Sequence, residues 1–471
     1  MPASLRGLDE TRARLDREVA EEVRGFPDTD IANAERLVAR HGADIRYTVS
    51  AGWMVWDGQR WREDPKEVRI QALAKETARS IYYEIKTATN RDQAFRHAKR
   101  SESRLAIEAM VFLARSEPGV LTSITDFDSD SRLLNVQNGT IELRTGELRE
   151  HHRQELITKM APVTYDPNSK CGLWEAFLWR VTGQSEPLCE YLKRFVGYLL
   201  TGETNEQVLH FLYGMGANGK SVFVEIVSAL LGDYAVIASP DLIMLKRHGG
   251  IPNDVACLRG ARAVFMNETT QGAKFNEAKL KDLTGGDTLQ ARFLHREFFN
   301  FSPTHKLAIR GNHKPEILGT DDGIWRRLRL VPFTVSIPPE EQDRDLLTKL
   351  RAELPGVLKW AVDGCLDWQR TGLLPPDCIL DAVKQYRAEA DTLGRFIDEC
   401  CDQRNLGRVS SSVFFGAYQK FCESDGERWI SSKDLPGEMQ RRGFIYGRGT
   451  GGKLRYLGIE LRESGDRWEA K

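Results

Sequence analysis

No stretch of this chain approaches the ~18 consecutive apolar residues that a membrane-spanning helix needs. The residues after Met1 are charged (Arg6, Asp9, Glu10, Arg12) where an export signal is apolar. Neither a membrane protein nor an exported one is expected, and the chain reads as cytoplasmic. An excess of charge is lacking too: 67 Lys and Arg stand against 68 Asp and Glu, a formal net charge of -1. Any nucleic-acid binding would therefore rest on local clusters of Lys and Arg rather than on global basicity. The eight cysteines form no Cys-x-x-Cys pair and no Cys/His set at zinc spacing, so a reduced, metal-free interior is expected. Adjacent Cys400 and Cys401 continue a helical apolar pattern with Phe396 and Ile397 and read as small core residues of a helix.

The 471 residues, at about 150 per domain, predict two to four domains. Residues 1–27 carry Leu5, Leu8, Leu15, Val19 and Val23 near helical spacing, a leading helix. Residues 28–171 mix helix and strand signals and read as one α+β domain. Within it, Trp53, Trp56 and Trp61 surround the Asp57-Gly58 turn, which favours a packed small sheet over a base-stacking platform. Asp126-Phe127-Asp128 could hold the metal ions of a nucleotidyl transferase, but nothing nearby completes such a site, so a solvated loop is expected. Residues 172–204 read as a helical collar, 205–340 alternate strand and helix in the α/β manner, and 341–375 form a helical lid and linker ending near Pro375-Pro376. Residues 376–471 hold helix signals near 391–403, 411–423 and 434–442 and a Gly-rich basic hairpin at 443–458, which together suggest a winged helix. The fold class is thus multidomain α/β.

The most informative stretch is an apolar strand, Val208 to Tyr213, running into Gly214-Met215-Gly216-Ala217-Asn218-Gly219-Lys220-Ser221 and then a helical segment, Val222 to Leu231. This is the P-loop pattern in its strand, loop, helix context. Gly214, Gly216 and Gly219 let backbone N–H groups face phosphates, and Asn218, Lys220, Ser221 and Val222 complete the predicted nucleotide cradle. Lys220 can neutralise phosphate oxygens and Ser221 can hold Mg²⁺, so ATP and Mg²⁺ are the expected cofactors. A second strand, Ala263 to Met266, ends at Asn267-Glu268, where Glu268 can act on the attacking water, on the metal, or on both. A third, Lys306 to Arg310, ends at Gly311-Asn312, where an Asn can orient water or serve the turn. Arg292 to Arg296, with His295, reads as a basic hairpin tip or an ordinary solvated hairpin. Paired Arg326 and Arg327 precede an apolar strand, placed either to reach a neighbouring subunit's phosphate or to salt-bridge on the surface.

The chain resembles the superfamily 3 helicases, specifically the phage and plasmid primase-helicase family related to the poxvirus primase-helicase. The likeness rests on the P-loop together with Leu134 to Thr140 (LNVQNGT), Gly197 to Gly202 (GYLLTG), Leu283 to Asp287 (LTGGD), Gly311 to Pro315 (GNHKP) and Trp325-Arg326-Arg327, all in order. The resemblance implies an AAA+-type ATPase core, an N-terminal helicase-associated domain, and a homohexameric ring moving 3′ to 5′ on one strand of forked DNA. It implies Lys220 and Ser221 as phosphate and Mg²⁺ ligands, Glu268 as the acidic residue, Asn312 as sensor, Arg327 as the finger acting in trans with Arg326 as alternate, and Arg292 to Arg296 as the channel hairpin. The associated domain begins near residue 28, which leaves no room here for the primase-polymerase domain many relatives carry; a separate primase and host replication proteins are the expected partners, with no membrane partner. The segment Gly426 to Tyr456 holds seven basic residues, among them Arg441, Arg442, Arg448 and Lys453, against three acids, and predicts salt-sensitive DNA binding or, alternatively, a protein-contact surface. Two further functions stay open: an ATP-switched origin-binding assembly, and a motor on duplex DNA without unwinding.

Overall fold

The computed structural model describes residues 25–245, 253–267, 273–292, 298–317, 322–424, 426–427, 429–448 and 452–462. Most of the leading helix expected over 1–27, Glu268, His295 and Arg296 lie outside the described residues. The N-terminal part comprises helices α1 (Asp30–His41), α2 (Val68–Glu84), α3 (Arg91–Ser101) and α4 (Arg104–Ala114) with the antiparallel meander β1 (Ile45–Thr48), β2 (Gly52–Trp56) and β3 (Trp61–Glu63). Thr29, Asn90 and Ser103 cap α1, α3 and α4 by accepting first-turn N–H groups, which sets where each helix starts. Trp53 is buried among Leu37, Ile70, Ala74 and Met110, and Trp61 packs on Met54 and Phe127, so both serve a packed sheet as expected. Asp126 closes a capping box with Ser123, and Asp128 accepts from the N–H of Thr158, so these two carboxylates shape turns.

A second antiparallel meander, β4 (Leu133–Val136), β5 (Gly139–Glu142) and β6 (Glu147–Arg149), was expected to share the N-terminal domain's core. It does not: Leu134, Val136, Ile141, Ala161, Val163 and Tyr165 pack instead with the collar helices α5 (Gly172–Val181) and α6 (Glu186–Leu199) and with the helix after the P-loop. Their apolar faces close on the larger core, which pattern reading within the segment could not reveal. The LNVQNGT motif is the knot of this packing. Asn135 is buried, its Nδ2 donating to the carbonyls of Gln59 and Lys159 and its N–H to the Tyr234 hydroxyl, while Asn138 and Tyr165 bond reciprocally.

The central sheet is built from β7 (Leu209–Tyr213), β8 (Ala235–Ala238), β9 (Ala263–Met266), β12 (Lys306–Gly311) and β13 (Leu328–Pro332), all parallel, in the order β13-β7-β12-β9-β8. The intervening β10 (Leu289–Arg292) and β11 (Phe298–Phe301) form a separate antiparallel ribbon. A parallel sheet buried on both faces needs nearly continuous apolar strands, and every residue of β9 is buried. Alternate residues feed opposite cores: Leu209 and Phe211 face one side with α8 (Glu277–Gly285), and Leu212 faces the other with α5, α6 and α7 (Lys220–Leu231). Helices α9 (Leu346–Ala352) and α10 (Leu354–Thr371) complete that second layer, and α11 (Asp377–Ala390) lies against β13. Gly197 of the GYLLTG motif and Gly364 of α10 set how closely α6 and α10 approach. A Cβ on Gly197 would stand 2.1 Å from the Cys365 nitrogen, and one on Gly364 2.2 Å from the Lys193 carbonyl oxygen.

The C-terminal part runs α12 (Thr392–Cys400), β14 (Cys401–Ser410), α13 (Ser411–Ser424), α14 (Leu435–Arg441), β15 (Ile445–Arg448) and β16 (Leu454–Leu461), with the antiparallel order β14-β16-β15. Three helices and a hairpin appear where the sequence placed them. The first helix is shorter than expected, because Cys401 starts a strand: it remains a core residue, but of the sheet rather than of a helix.

Candidate active site

The strand order brings the carboxyl ends of β7, β12 and β9 side by side, the edge at which open α/β sheets bind ligands. After Tyr213 the backbone turns through Gly214 (φ +155°) and Ala217 (φ +57°) to Gly219 (φ +84°), and α7 begins at Lys220. Two of the three loop glycines are required by packing. A Cβ on Gly214 would fall 2.0 Å from the Phe333 carbonyl oxygen, and one on Gly219 2.6 Å from a Val181 methyl. Gly216 has open space around it, as expected of a loop backbone that a phosphate approaches closely.

Lys220 is buried, and among the described residues its ammonium reaches the Gly214 carbonyl at 2.6 Å, Asn218 Oδ1 at 3.0 Å and Asn312 Oδ1 at 3.2 Å. The first-turn neighbours differ, Ser221 being exposed and Val222 half-buried. Asn218 is also buried and donates from Nδ2 to the carbonyls of Met215 and Phe333, the latter at 2.8 Å. The segment after β13 closes over the loop, with Phe333 N–H bonding the Tyr213 carbonyl and Ile337 N–H the Ala217 carbonyl, both at 2.8 Å. Asn312, exposed in the turn after β12, is thus brought to the P-loop lysine across 92 residues of sequence. Asn267, at the end of β9, accepts from Arg310 Nε at 3.0 Å.

Arg326 and Arg327 sit just before β13, whose first residue pairs with the first residue of β7, so they lie at the end of the sheet away from the P-loop of their own chain. Their environments differ. Arg327 is buried, and its guanidinium donates to Thr284 Oγ1 at 3.1 Å and to the Gly323 carbonyl at 2.8 Å. Arg326 is exposed, and no carboxylate pairs with it among the described residues. Thr284 belongs to the LTGGD motif, so the motif's place in the fold was legible but not its contact with the arginine pair.

Of the predicted DNA-contacting residues, Arg292 ends β10 with its guanidinium 4.9 Å from the Phe298 ring. Arg448 and Lys453 are exposed on either side of the β15–β16 turn. Arg441 is exposed but ion-paired with Glu438 at 2.8 Å. Arg442 is engaged within its own domain: its guanidinium binds both Asp391 oxygens, at 2.9 and 2.6 Å, and also meets Glu438. Its charge is neutralised inside the domain, and the Arg442 guanidinium helps hold the Asp391 carboxyl below the ordinary carboxylate range against the opposing effect of burial.

Two buried cations beneath the sheet escaped sequence reading. Lys306 donates to the carbonyls of Thr201 and Thr304, and Arg262 to those of Leu200 and Leu133, the last at 2.6 Å. The GYLLTG motif therefore supplies carbonyls to the ends of β9 and β12, and burial lowers the pKa of both cations.

Residues 34–183 match the family described as "D5 N terminal like", and residues 212–327 match a family of unknown function, DUF5906. A helicase-named protein of Acanthamoeba polyphaga mimivirus is 25% identical over 372 residues, covering 73% of this chain and 38% of that protein. A helicase-named protein of Frog virus 3 is 29% identical over 219 residues, 42% of this chain and 22% of that one, and a primase-named protein of African swine fever virus is 26% identical over 214 residues, 44% and 22%. The chain thus spans well under half the length of these curated relatives. Among solved structures, the apo NrS-1 C terminal region (305-718) superposes with a TM-score of 0.48 at 9% identity, over 88% of this chain and 95% of that one.

Proposed function

We propose, for a chain that matches the phage and viral primase-helicase family, that it is an ATP- and Mg²⁺-dependent replicative DNA helicase of superfamily 3 with an AAA+-type core. The observation that carries this reading is the meeting of Asn312 Oδ1 with Lys220 Nζ at 3.2 Å, with β12 inserted between the P-loop strand and β9. That arrangement puts a polar sensor beside the lysine that would face the γ-phosphate.

The donor set fits a triphosphate: an open glycine backbone at 216, a lysine, and the Ser221 hydroxyl at a helix start. When bound, Mg²⁺ would neutralise charge developing on the phosphate oxygens, with Ser221 and Glu268 as its holders. Lys220 exchanges the Gly214 carbonyl and Asn312 Oδ1 for phosphate oxygens while keeping Asn218 Oδ1, Glu268 draws a proton from the attacking water, and Asn312 orients that water. The exposed Arg326 is the better-placed finger toward a neighbouring subunit, with Arg327 fixing its position. In this reading six copies form a ring around one strand of forked DNA and move 3′ to 5′. The β10–β11 ribbon faces the strand, and the C-terminal domain is a winged helix that contacts duplex. The setting is the cytoplasm of a bacterial host. Among the described residues, no helix is long and apolar enough to cross a membrane.

A second reading, an ATP-controlled DNA-binding assembly without unwinding, draws support from Asn267, whose side chain is engaged by Arg310 where many ATPases place another acid. Unwinding separates the two. Forked DNA with a 3′ or 5′ tail is incubated with ATP and the chain, its Lys220→Ala variant, or the His295→Ala/Arg296→Ala double variant. Strand separation by the parent alone, with ATP hydrolysis retained in the double variant, supports the helicase. Hydrolysis with no separation on either tail refutes it in favour of the switch.

A further inference from the structure

We infer that Asn218 is a positioning residue linking two nucleotide sites of the assembly, the one its own P-loop forms and the one its subunit's arginine pair reaches. This rests on the ring reading above. The arginine pair and the P-loop occupy opposite ends of one strand. β13 begins directly after Arg326-Arg327, and at roughly 3.3 Å per residue its five residues span about 16 Å. At its far end, Phe333 and Ile337 clasp the loop in three bonds: Phe333 N–H to Tyr213 O, Asn218 Nδ2 to Phe333 O, and Ile337 N–H to Ala217 O.

Only the middle bond runs through a side chain, and that side chain has a second end. Asn218 Oδ1 accepts from Lys220 Nζ at 3.0 Å while its Nδ2 donates to the strand's exit. A movement of β13 along its axis therefore reaches the lysine through one amide. Little at the strand's exit absorbs such a movement: Gly214 leaves no space beside Phe333 O, and Asn218 is buried. When a neighbour's nucleotide engages the arginine pair, the strand end shifts and the amide re-aims Lys220. Hydrolysis in one subunit is thereby made dependent on the state of the next.

The test is steady-state ATP hydrolysis by the full chain at varied ATP concentration, with increasing fractions of Lys220→Ala subunits mixed in. The parent should show a Hill coefficient above unity and lose activity more steeply than the inactive fraction rises. Asn218→Ala should lose about tenfold in kcat with KM changed less than about threefold, its Hill coefficient should fall to unity, and its loss on mixing should become proportional. Asn218→Ser, which keeps a hydroxyl donor for Phe333 O, should recover part of the cooperativity, and it carries the test if thermal melting shows Asn218→Ala unfolded. A KM increase that accounts for the whole loss, with mixing as steep as in the parent, overturns the link and leaves Asn218 a phosphate-loop brace. A parent whose own activity falls in proportion on mixing overturns the ring reading and the link together, and is recognised without any Asn218 variant.

Discussion

The arginine pair gives the sharpest test of the site, because its two members should fail in different ways. Arg327→Ala removes two hydrogen bonds from a buried guanidinium, to Thr284 Oγ1 and the Gly323 carbonyl. Bonds to charged groups contribute about 1.5–3 kcal/mol each. Thr284 keeps its own bond to the Leu280 carbonyl, so the lower end applies, and the loss is about 3 kcal/mol. For a unit of about 200 residues this lowers the melting temperature by roughly 6–12 °C. Arg326→Ala, at an exposed side chain with no carboxylate partner among the described residues, should stay within about 0.5 kcal/mol of the parent. If Arg326 is the finger, that substitution lowers kcat by about a thousandfold or more while a nucleotide analogue still binds. Arg327→Lys, lacking the planar fork, should recover only part of the lost stability. The assay is a thermal melt of each variant beside its ATPase in the assembled state. A normal melt for Arg327→Ala with hydrolysis lost, and normal hydrolysis for Arg326→Ala, would show that Arg327 acts on phosphate and that the clamp on Thr284 is incidental.

Gly197→Ala should force α6 and α10 apart, since its Cβ would meet backbone atoms 2.1 and 2.3 Å away; overpacking of this kind costs about 1–3 kcal/mol, and an unchanged melt would refute the close approach. His305 is kept neutral in the fold, its pKa pushed down to about 4 by burial first and by Lys306 second. The unfolded chain takes up that proton below about pH 6.5, so stability should fall as pH drops from there to about 4 and then level off; His305→Phe should remove about one proton from the pH slope of urea unfolding. His210, lowered in the same direction by burial, keeps part of the slope in that variant. Arg448→Ala with Lys453→Ala should weaken DNA binding and flatten its salt dependence by about two units of log–log slope, whereas Arg442→Ala should lower the melt through the unpaired Asp391 and leave the salt slope alone. The reverse pattern in filter binding would return Arg442 to the DNA surface.

The P-loop was legible because its signal is contiguous: strand, glycine turn and helix follow within about two dozen residues, and each element's pattern needs no distant partner. The C-terminal helices were legible for the same reason. What escaped reading depends on residues far apart. β14 contains Asp402, Gln403, Arg404, Asn405 and Arg408, a polar run with no strand pattern, and it is a strand because β16, some fifty residues on, pairs with it around an irregularity between Gln403 and Arg408. The β4–β6 meander looks self-contained in sequence, yet its apolar face meets helices that come after it. Arg442 reads as one cation of a basic run until Asp391, 51 residues earlier, is seen to neutralise it. Likewise the family likeness assigns Arg327 by its place before the strand, and only the contact with Thr284 separates a buried clamp from an exposed neighbour.

These distant contacts also divide the molecule by stiffness, which bears on how a nearly neutral chain could work on DNA. The P-loop is backed by packed structure at both of its ends: Phe177 and Val181 of the collar stand behind Gly219, the Phe333 carbonyl behind Gly214, and the sheet beneath Tyr213. Geometry fixed that firmly suits electrostatic work on a phosphate, where dipoles held in place need no reorganisation. The cations proposed to meet DNA are elsewhere, Arg292 on the β10–β11 ribbon and Arg448 and Lys453 on β15–β16, both antiparallel hairpins outside the central sheet. With a net charge of -1, global basicity offers no attraction, so in the proposed reading binding comes from local clusters such as these. A motor built this way would hold DNA weakly through any one subunit. Grip and movement would then both depend on several copies acting in sequence, which is the condition under which a link between neighbouring nucleotide sites has a use.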